Sequence, residues 1–263
     1  MKLVIKKVVY GIMKMFLFVY FLMVLVVKVK HKRVLRLSRQ KKNKITIIAN
    51  GPSLKEDVYF LLDEDYKKQT DFLMLNFSAF DSLFFKLRPQ YYCLTDPMYF
   101  QSSWRDEEVF RFFNLLNNQV EWPMTIYVPA QSMKQFVRFS HLDNSNIKVL
   151  GVNTVTYRGF ERFRNFFYRT GLSSPIPQTV ANFAIFIGIN AGYQHMDLYG
   201  VDHTFLSTLM VNEKNQLCQI YSHSYEEETL EYKVVRRTDN NEVWKVGDYI
   251  IACGTMFLSH DLL

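Results

Sequence analysis

The segment IIANGPSLKE, residues 47–56, joins an apolar run to a helix-forming pattern. Gly51 permits a positive φ or a close approach of another backbone, and Pro52 stiffens the entry into the helix. Ser53 and Glu56 have the spacing of a capping box, which marks the first turn of a helix. The segment therefore predicts a buried strand followed directly by a helix, the first unit of a β-α-β chain.

The same turn predicts an anion site. Free N–H groups and the positive end of the helix dipole gather where a parallel strand enters a helix, and nucleotide phosphates bind at such positions. The sequence contains neither G-x-G-x-x-G nor G-x-x-x-x-G-K-[ST] at this turn, which disfavours a dinucleotide site and a P-loop. A well-capped connection that binds no ligand remains the alternative.

Beyond this segment, short apolar runs alternate with amphipathic stretches, so we expect an α/β fold: one Rossmann-like domain over residues 45–263 with a mostly parallel sheet. The predicted strands are Ile45–Ala49, Phe72–Leu75, Gln90–Thr95, Met124–Val128, Ile147–Val152 and Met196–Tyr199. The predicted helices are Leu54–Tyr66, Trp104–Asn117, Ala130–Phe139, Phe160–Tyr168 and Thr179–Ala191. A polar insertion at about residues 206–248 is expected to form loops and a hairpin on the face of the sheet.

The N-terminal segment Val8–Val27 is apolar apart from Lys14 and is long enough to cross a bilayer as a helix. We therefore predict a membrane anchor over residues 1–27 and a basic linker over residues 28–44. The run is followed by KVKHKR instead of small residues, which disfavours a cleaved signal peptide. Because Lys14 interrupts the run, a helix that lies in the membrane interface remains open.

The flanking charges predict the orientation of this anchor. Three lysines precede the apolar run, whereas a dense basic cluster follows it. The positive-inside rule then places the main domain in the cytoplasm. The residues after the run are Lys28, Lys30, Lys32, Arg33, Arg36, Arg39, Lys41, Lys42 and Lys44.

The distribution of charge also limits the partners. All 25 acidic residues lie after residue 44, whereas 13 of the 32 basic residues lie within residues 1–44, so the remainder of the chain is net acidic. An acidic domain has no electrostatic footprint for a phosphate backbone, which argues against nucleic-acid binding. Cys93, Cys218 and Cys253 are too few and too widely spaced for a disulfide framework or a zinc site.

Four blocks of the sequence resemble the bacterial sialyltransferases that modify lipooligosaccharide, and the related pterin pyrophosphokinase-like proteins of polysaccharide clusters. The blocks are IIANGPSLKE, LMLNFSAF (73–80), CLTDPMYF (93–100) and QTVANFAIFIGINAGYQHMDLYGVD (178–202). The resemblance covers about a third of the chain in the family's order. It implies a single GT-A-like Rossmann-type domain that binds a nucleotide-sugar donor and a glycan acceptor.

The resemblance implies donor-binding roles for residues that follow the predicted strands or begin a helix. With Pro52 from the first turn, the candidates are Asn50, Gly51, Pro52, Ser53, Asn76, Asp96, Thr179 and Thr204. The chain departs from the family at Asp96, where the family has Asn, near Pro177, where it has Arg, and at Thr204, where it has Tyr. The donor therefore need not be a cytidylyl sialic acid.

Histidine is the natural general base at neutral pH, and the family uses a late His in a Gly-His-Ser motif. Gly254-Thr255 or Ser259-His260 matches that region, depending on the gap chosen. Asp202 and His203 follow a predicted strand, where active-site groups collect, and His223 lies in the polar insertion. The catalytic candidates are therefore His260, His223, His203 and Asp202.

These observations predict a membrane-anchored glycosyltransferase that faces the cytosol and acts on a surface polysaccharide or a lipid-linked oligosaccharide. Its expected partners are a nucleotide-sugar, a glycan acceptor and membrane lipids. No metal or other cofactor is expected. One alternative is a pyrophosphokinase-like phosphotransferase, which needs Mg²⁺ held by carboxylates such as Asp96 and Asp202.

A second alternative is a catalytically inactive membrane scaffold. The sequence ends at Asp261-Leu262-Leu263, in what resembles the first turns of an apolar helix. The resembled family continues with a full helix and a further strand. We therefore expect a shortened C-terminus, which favours this alternative.

Overall fold

The computed structural model describes residues 2–29, 42–175, 179–202, 206–220, 232–237 and 241–260. The helices are α1 (Lys2–Val29), α2 (Leu54–Leu61), α3 (Glu64–Gln69), α4 (Ser82–Leu87), α5 (Asp106–Gln119), α6 (Met133–Ser140), α7 (Glu161–Arg169), α8 (Val180–Ala191) and α9 (Val246–His260). The strands are β1 (Lys44–Ile48), β2 (Thr70–Leu75), β3 (Tyr91–Cys93), β4 (Met124–Pro129), β5 (Ile147–Val152), β6 (His195–Tyr199), β7 (Leu209–Val211), β8 (Leu217–Ile220) and β9 (Tyr232–Val234). The chain has the α/β fold that the sequence predicts.

The six strands β1–β6 form one parallel sheet in the order β5-β4-β3-β2-β1-β6. All six predicted strands are confirmed, with ends that shift by one or two residues. Strand β1 reads KITII and is buried from Ile45 to Ile48, because helices cover both faces of a parallel sheet. The strand order reverses beside β1, which pairs with β2 on one side and β6 on the other.

Alternate residues of the central strands pack into two separate cores, as the period of a strand requires. Ile48, Phe72 and Met74 contribute to a large aromatic-rich core that extends to α5 and α6. Ile45, Ile47 and Leu73 contribute to a smaller core with α8. Helix α8 covers β1, β2 and β3, so its position is fixed relative to the middle of the sheet.

A polar network closes the amino edge of the sheet. Lys44 of β1 pairs with Asp197 of β6 at 2.5 Å, and the Tyr66 hydroxyl donates to the same carboxylate at 2.6 Å. Burial alone would raise the pKa of Asp197, but the bonds from Lys44 and Tyr66 outweigh it and lower the pKa. The network therefore stabilises the pairing of β1 with β6 at neutral pH.

The predicted helix Leu54–Tyr66 is wrong, because the structure divides it into α2 and α3. Asp63 adopts an extended conformation and its side chain accepts a hydrogen bond from Tyr66 N at 2.8 Å, which starts a new helix. Helix α4 is absent from the prediction and begins in the same way, with the Asp81 side chain accepting from Leu83 N at 2.9 Å.

The polar insertion contains an antiparallel sheet in the order β7-β8-β9, which confirms the predicted hairpin. Helix α9 begins at Val246, within two residues of the approximate end expected for this insertion. This helix runs for 15 residues to His260, more than the first turns expected there. The Tyr249 hydroxyl donates to Gln219 Oε1 at 2.9 Å and joins α9 to β8.

Helix α1 extends the predicted anchor by two residues. Its segment Ile5–Lys28 has a mean hydropathy of 2.2 and is long and apolar enough to cross a membrane, by length and composition. Phe18 and Phe21 of α1 pack against Tyr157 and Phe167 of the domain, a contact that we name the α1 seam. The ring centroid of Phe21 lies 4.9 Å from that of Tyr157 and 4.9 Å from that of Phe167.

Candidate functional site

The candidate site lies at the carboxyl edge of the parallel sheet, beside the reversal of strand order. The ends of β1, β2, β3 and β6 all reach this edge, because parallel strands point the same way. Ligands of open α/β sheets bind in the crevice at such a reversal. The residues that follow these four strands are Asn50 and Gly51, Asn76, Asp96, and Gly200 to Asp202.

Gly51 lies against the end of β6. Its N–H donates to the Gly200 carbonyl at 2.8 Å, and Gly200 has a φ of +66°. A Cβ added to Gly51 would lie 1.9 Å from Asp202 Oδ2 and 2.5 Å from the Gly200 oxygen. The glycine is therefore required because the β6 end approaches the turn this closely.

Asp202 fills the position at the start of α2 that the sequence assigns to a phosphate. Its Oδ2 accepts a hydrogen bond from Ser53 N at 3.1 Å. A carboxylate in this place satisfies a free N–H group and the positive end of the helix dipole. The predicted capping box is wrong, because the Ser53 side chain accepts no capping bond. Pro52 lies in the same turn, where its carbonyl accepts from Lys55 N at 3.2 Å.

Asn76 and Asp96 meet at the ends of the neighbouring strands β2 and β3. Asn76 has a φ of +48°, and its carbonyl accepts a hydrogen bond from the Tyr92 hydroxyl at 2.5 Å. Burial raises the pKa of the Asp96 carboxyl, although the Arg105 charge and a hydrogen bond from the Asn76 side chain act in the opposite direction. A carboxyl with a raised pKa is more readily protonated and can then donate a hydrogen bond.

Two amide oxygens at this edge are buried without a hydrogen-bond partner in the described part of the chain. They are Asn50 Oδ1, after β1, and Asn76 Oδ1, after β2. A buried acceptor without a partner costs about 1–3 kcal/mol, and a native structure retains one where a ligand or water completes it. Both oxygens can accept hydrogen bonds from the hydroxyl or amino groups of a ligand.

Thr179 begins α8 at the same edge. Its side chain accepts a hydrogen bond from Asn182 N at 3.2 Å and so caps the helix. Helix α8 returns the chain to the amino end of β6, which places its first turn at the carboxyl edge. The hydroxyl hydrogen of Thr179 takes no part in this capping bond.

The remaining candidates are less fully placed. His203, Thr204 and His223 lie outside the described residues, and His260 is the last residue of α9. Among the described residues, no group of three or more His, Cys, Asp or Glu side chains is arranged to hold a metal ion. The three cysteines are buried free thiols: Cys93, Cys218 and Cys253.

Two features of the site have no counterpart in the sequence-based prediction. One is Arg105, whose positive charge opposes the rise in the pKa of Asp96. Its guanidinium pairs with Glu108 at 2.6 Å and packs over the Phe77 ring. Its position immediately before the acidic first turn of α5 is the signal that could have identified it. The other feature is the bond between Asp202 and Ser53, which joins residues 149 positions apart and leaves no local signal.

Comparison with protein-family models and with curated proteins finds no match to this chain. Its functional interpretation therefore depends on the geometry of the carboxyl edge and on the sequence resemblance.

Proposed function

We propose that the protein is a membrane-associated glycosyltransferase that transfers a sugar from a nucleotide-activated donor to a surface polysaccharide or a lipid-linked oligosaccharide. The two buried, unpartnered oxygens of Asn50 and Asn76 at the reversal of strand order carry the proposal. A nucleotide-sugar supplies hydroxyl and amino groups that would satisfy them.

In the proposed reaction a histidine base takes the proton of an acceptor hydroxyl, whose oxygen attacks the anomeric carbon of the donor sugar. The bond from that carbon to the nucleotide phosphate breaks, and the nucleotide leaves with the bonding electrons. His260, His223 and His203 are the candidate bases. The hydroxyls of Thr179 and Thr204 are the proposed donors to the departing phosphate.

The geometry modifies one expectation about this phosphate. The N–H groups of Gly51 and Ser53 donate to Gly200 and Asp202, so they are engaged within the chain. We therefore assign the Gly51 turn to fixing the crevice wall, and Thr179 and Thr204 to the phosphate.

The contacts of the two candidate carboxylates favour the glycosyltransferase over the Mg²⁺-dependent phosphotransferase. Magnesium needs carboxylate oxygens that are free to bind it, and the Asn76 side chain already donates a hydrogen bond to the Asp96 carboxylate. Asp202, the other carboxylate of that alternative, already accepts from Ser53 N.

Binding is tested with the full chain in detergent, using a thermal-shift panel of nucleotides and nucleotide-sugars with and without Mg²⁺. We expect a nucleotide-sugar to raise Tm without Mg²⁺, because a ligand that binds the folded state stabilises it. Asn50→Ala should weaken binding about 2- to 10-fold, the value of one hydrogen bond. Asn190→Ala is the control, since Asn190 bonds the Phe186 carbonyl at the far end of α8. Equal affinities in the two variants would remove Asn50 from the site.

Chemistry is tested by release of free nucleotide from the donor in the presence of acceptor. Replacing the true base by Ala should lower turnover about 10²- to 10⁴-fold and leave donor binding intact. His203→Ala, His223→Ala and His260→Ala are compared separately. Activity that persists in EDTA supports the transferase, whereas activity that EDTA abolishes supports the phosphotransferase.

A further inference from the structure

A pocket of about 370 Å³ lies between α1 and the loop that follows β5. The α1 side contributes an apolar wall of Tyr20, Phe21 and Val24. The opposite side contributes Thr156 and Arg158, and Lys28 lies at the end of α1. The pocket is therefore lined by apolar side chains of α1 and by two cations, Lys28 and Arg158.

These cations are available to a ligand. Among the described residues, neither Lys28 nor Arg158 forms an ion pair, and both side chains are exposed. None of the described lining residues is acidic. The pocket is thus complementary to a negatively charged group, with the Thr156 hydroxyl as a further donor.

The polar floor of the pocket is held in place by hydrogen bonds. The Thr154 hydroxyl donates to Gln131 Oε1 at 2.7 Å, and Gln131 Nε2 donates to Asn153 Oδ1 at 3.0 Å. Gln131 follows β4 and Asn153 follows β5, so two strand ends share this network. The floor is therefore already formed without a ligand.

The apolar wall continues into the membrane segment. Lys28 ends the apolar stretch Ile5–Lys28, where a basic side chain reaches the headgroup level. Tyr20 lies eight residues earlier, about 12 Å further along the helix. The α1 wall of the pocket therefore runs from Lys28, at the headgroup level, toward the hydrocarbon.

We propose that this pocket binds a membrane lipid whose phosphate headgroup carries a net negative charge. Lys28, Arg158 and Thr156 hold the phosphate, and the hydrocarbon chain lies along Tyr20, Phe21 and Val24. The volume suits a headgroup with the first part of a chain, and falls in the range typical of small-molecule sites. This binding is independent of the transferase proposal.

The position of the pocket gives the lipid a further role that rests on the proposed function. Gln131 and Thr154 follow β4 and β5 at the same carboxyl edge as Asp96, which follows β3. Neighbouring strands lie about 4.8 Å apart, so the β5 end is about 10 Å from the β3 end. A glycan carried on the bound phosphate can reach the crevice over that span.

The first test measures lipid binding to the detergent-solubilised full chain by native mass spectrometry. Phosphatidic acid and phosphatidylglycerol are compared with zwitterionic phosphatidylcholine, and inorganic phosphate is the soluble arm. We expect the combined Lys28→Gln and Arg158→Gln changes to weaken anionic lipid binding about thirty-fold, since each cation near a lipid surface contributes about 1 kcal/mol. Inorganic phosphate that binds as tightly as the lipids would overturn the proposal.

A matched variant separates a site from a general effect of charge. The variant that combines Lys7→Gln with Arg138→Gln also removes two positive charges. Lys7 lies on α1 outside the pocket, and Arg138 lies on the exposed side of α6. We expect this variant to retain lipid binding within about two-fold of the parent. An equal loss in both double variants would show that only net charge matters and would refute the pocket.

A second measurement avoids substitutions altogether. A phospholipid with a photoreactive group near the start of its acyl chain is cross-linked to the full chain in anionic vesicles, and the labelled peptides are mapped. We expect enrichment at residues 20–24 and 154–158. Uniform labelling along the exposed face of α1, with no enrichment at those residues, would overturn the proposal.

Discussion

At the scale of single residues, Asp202 and Gly51 form one unit. The carboxylate can reach Ser53 N only because Gly51 has no side chain in its path. A negatively charged group at the start of a helix is favourable, so the protein uses its own carboxylate where related turns bind an external anion. The wall of the crevice is consequently built before any ligand arrives.

Gly51→Ala should lower the free energy of unfolding by about 1–3 kcal/mol, the usual cost of overpacking. The added Cβ would overlap Asp202 Oδ2 and the Gly200 carbonyl, and one of them must move. Urea denaturation of the full chain in detergent measures the change. Gly254→Ala is the control, because a Cβ there meets open space in α9 and should stabilise by about 0.5–1 kcal/mol. Matching midpoints for Gly51→Ala and the parent would contradict the crowding.

Asp96→Asn should raise Tm at neutral pH. The folded state raises the pKa of Asp96, so its stabilising contribution is full below the ordinary pKa and is lost as pH rises through the folded value. An amide avoids that loss because it carries no charge to bury. We expect the Tm difference between variant and parent to grow from pH 4 to pH 8. A difference that shrinks with rising pH would mean that ionised Asp96 stabilises the fold.

The sequence predicts the positions of the site residues better than their contacts. The resemblance implies a shared site for Asn50, Asn76 and Asp96, and the sheet brings the ends of the three strands that they follow to one edge. The partner of Ser53 was not predictable, because a capping box is read from local spacing, whereas Asp202 reaches the turn through strand pairing.

At the scale of secondary-structure elements, the α1 seam joins the apolar helix to the domain. Phe21 is 1% exposed, whereas Phe16, less than two turns earlier, is 71% exposed. Gly159 makes the approach possible, since a Cβ there would lie 3.1 Å from the Phe18 Cβ and its φ of +151° disfavours other residues. The helix therefore packs on the domain through a narrow stripe and leaves its other faces exposed.

Phe21→Ala should open the α1 seam without unfolding the parallel sheet. The substitution removes a ring that contacts both Tyr157 and Phe167, and truncation of a buried Phe costs about 3–5 kcal/mol of packing. We expect faster amide hydrogen exchange over residues 155–172 and unchanged exchange in β1–β4. Phe16→Ala should leave both regions as in the parent. Unchanged exchange over residues 155–172 in Phe21→Ala would show that the seam does not hold the helix.

The sequence predicts the strands of the parallel sheet well, and its errors fall on the helices. Continuous apolar runs identify the strands because both faces of each are buried. The predicted helix Leu54–Tyr66 fails at Asp63, because an amphipathic pattern continues across the aspartate that caps a new helix, and the short helix that Asp81 caps was missed altogether. Helix α9 has little polar contrast in its pattern, so amphipathicity does not mark its first residue, Val246.

At the scale of the whole molecule, the α1 seam restricts how the protein meets a membrane. Phe18 lies ten residues before Lys28, which is about 15 Å along the helix. If α1 stood upright with Lys28 at the surface, the domain around Phe167 would lie near the middle of a core about 30 Å thick. A tilted α1, with α7 immersed beside it in one leaflet, avoids this depth.

A nitroxide label on Phe166→Cys, in the full chain reconstituted in anionic vesicles, should therefore contact lipid. Phe166 is 59% exposed on α7, and the three native cysteines are buried, which favours selective labelling. We expect faster relaxation by oxygen, which partitions into lipid, than by a water-soluble nickel complex. Tyr59→Cys on α2, 83% exposed at the parent tyrosine, is the control and should show the reverse. The same aqueous pattern at both positions would favour an upright helix with a separate domain.

The pairing of β1 with β6 also fixes when the protein can finish folding. In the parallel ladder Lys44 of β1 lies opposite His195 of β6. The central strand β1 therefore acquires its second neighbour only after about 150 further residues have been synthesised. On the ribosome, β1 can join β2 early, but its other edge stays open until β6 and Asp202 have emerged. An open edge of an apolar strand invites association with other chains, and late long-range pairing is slow. A chain that stops before β6 should accordingly accumulate in aggregates or be degraded, even though most of the sheet has been made.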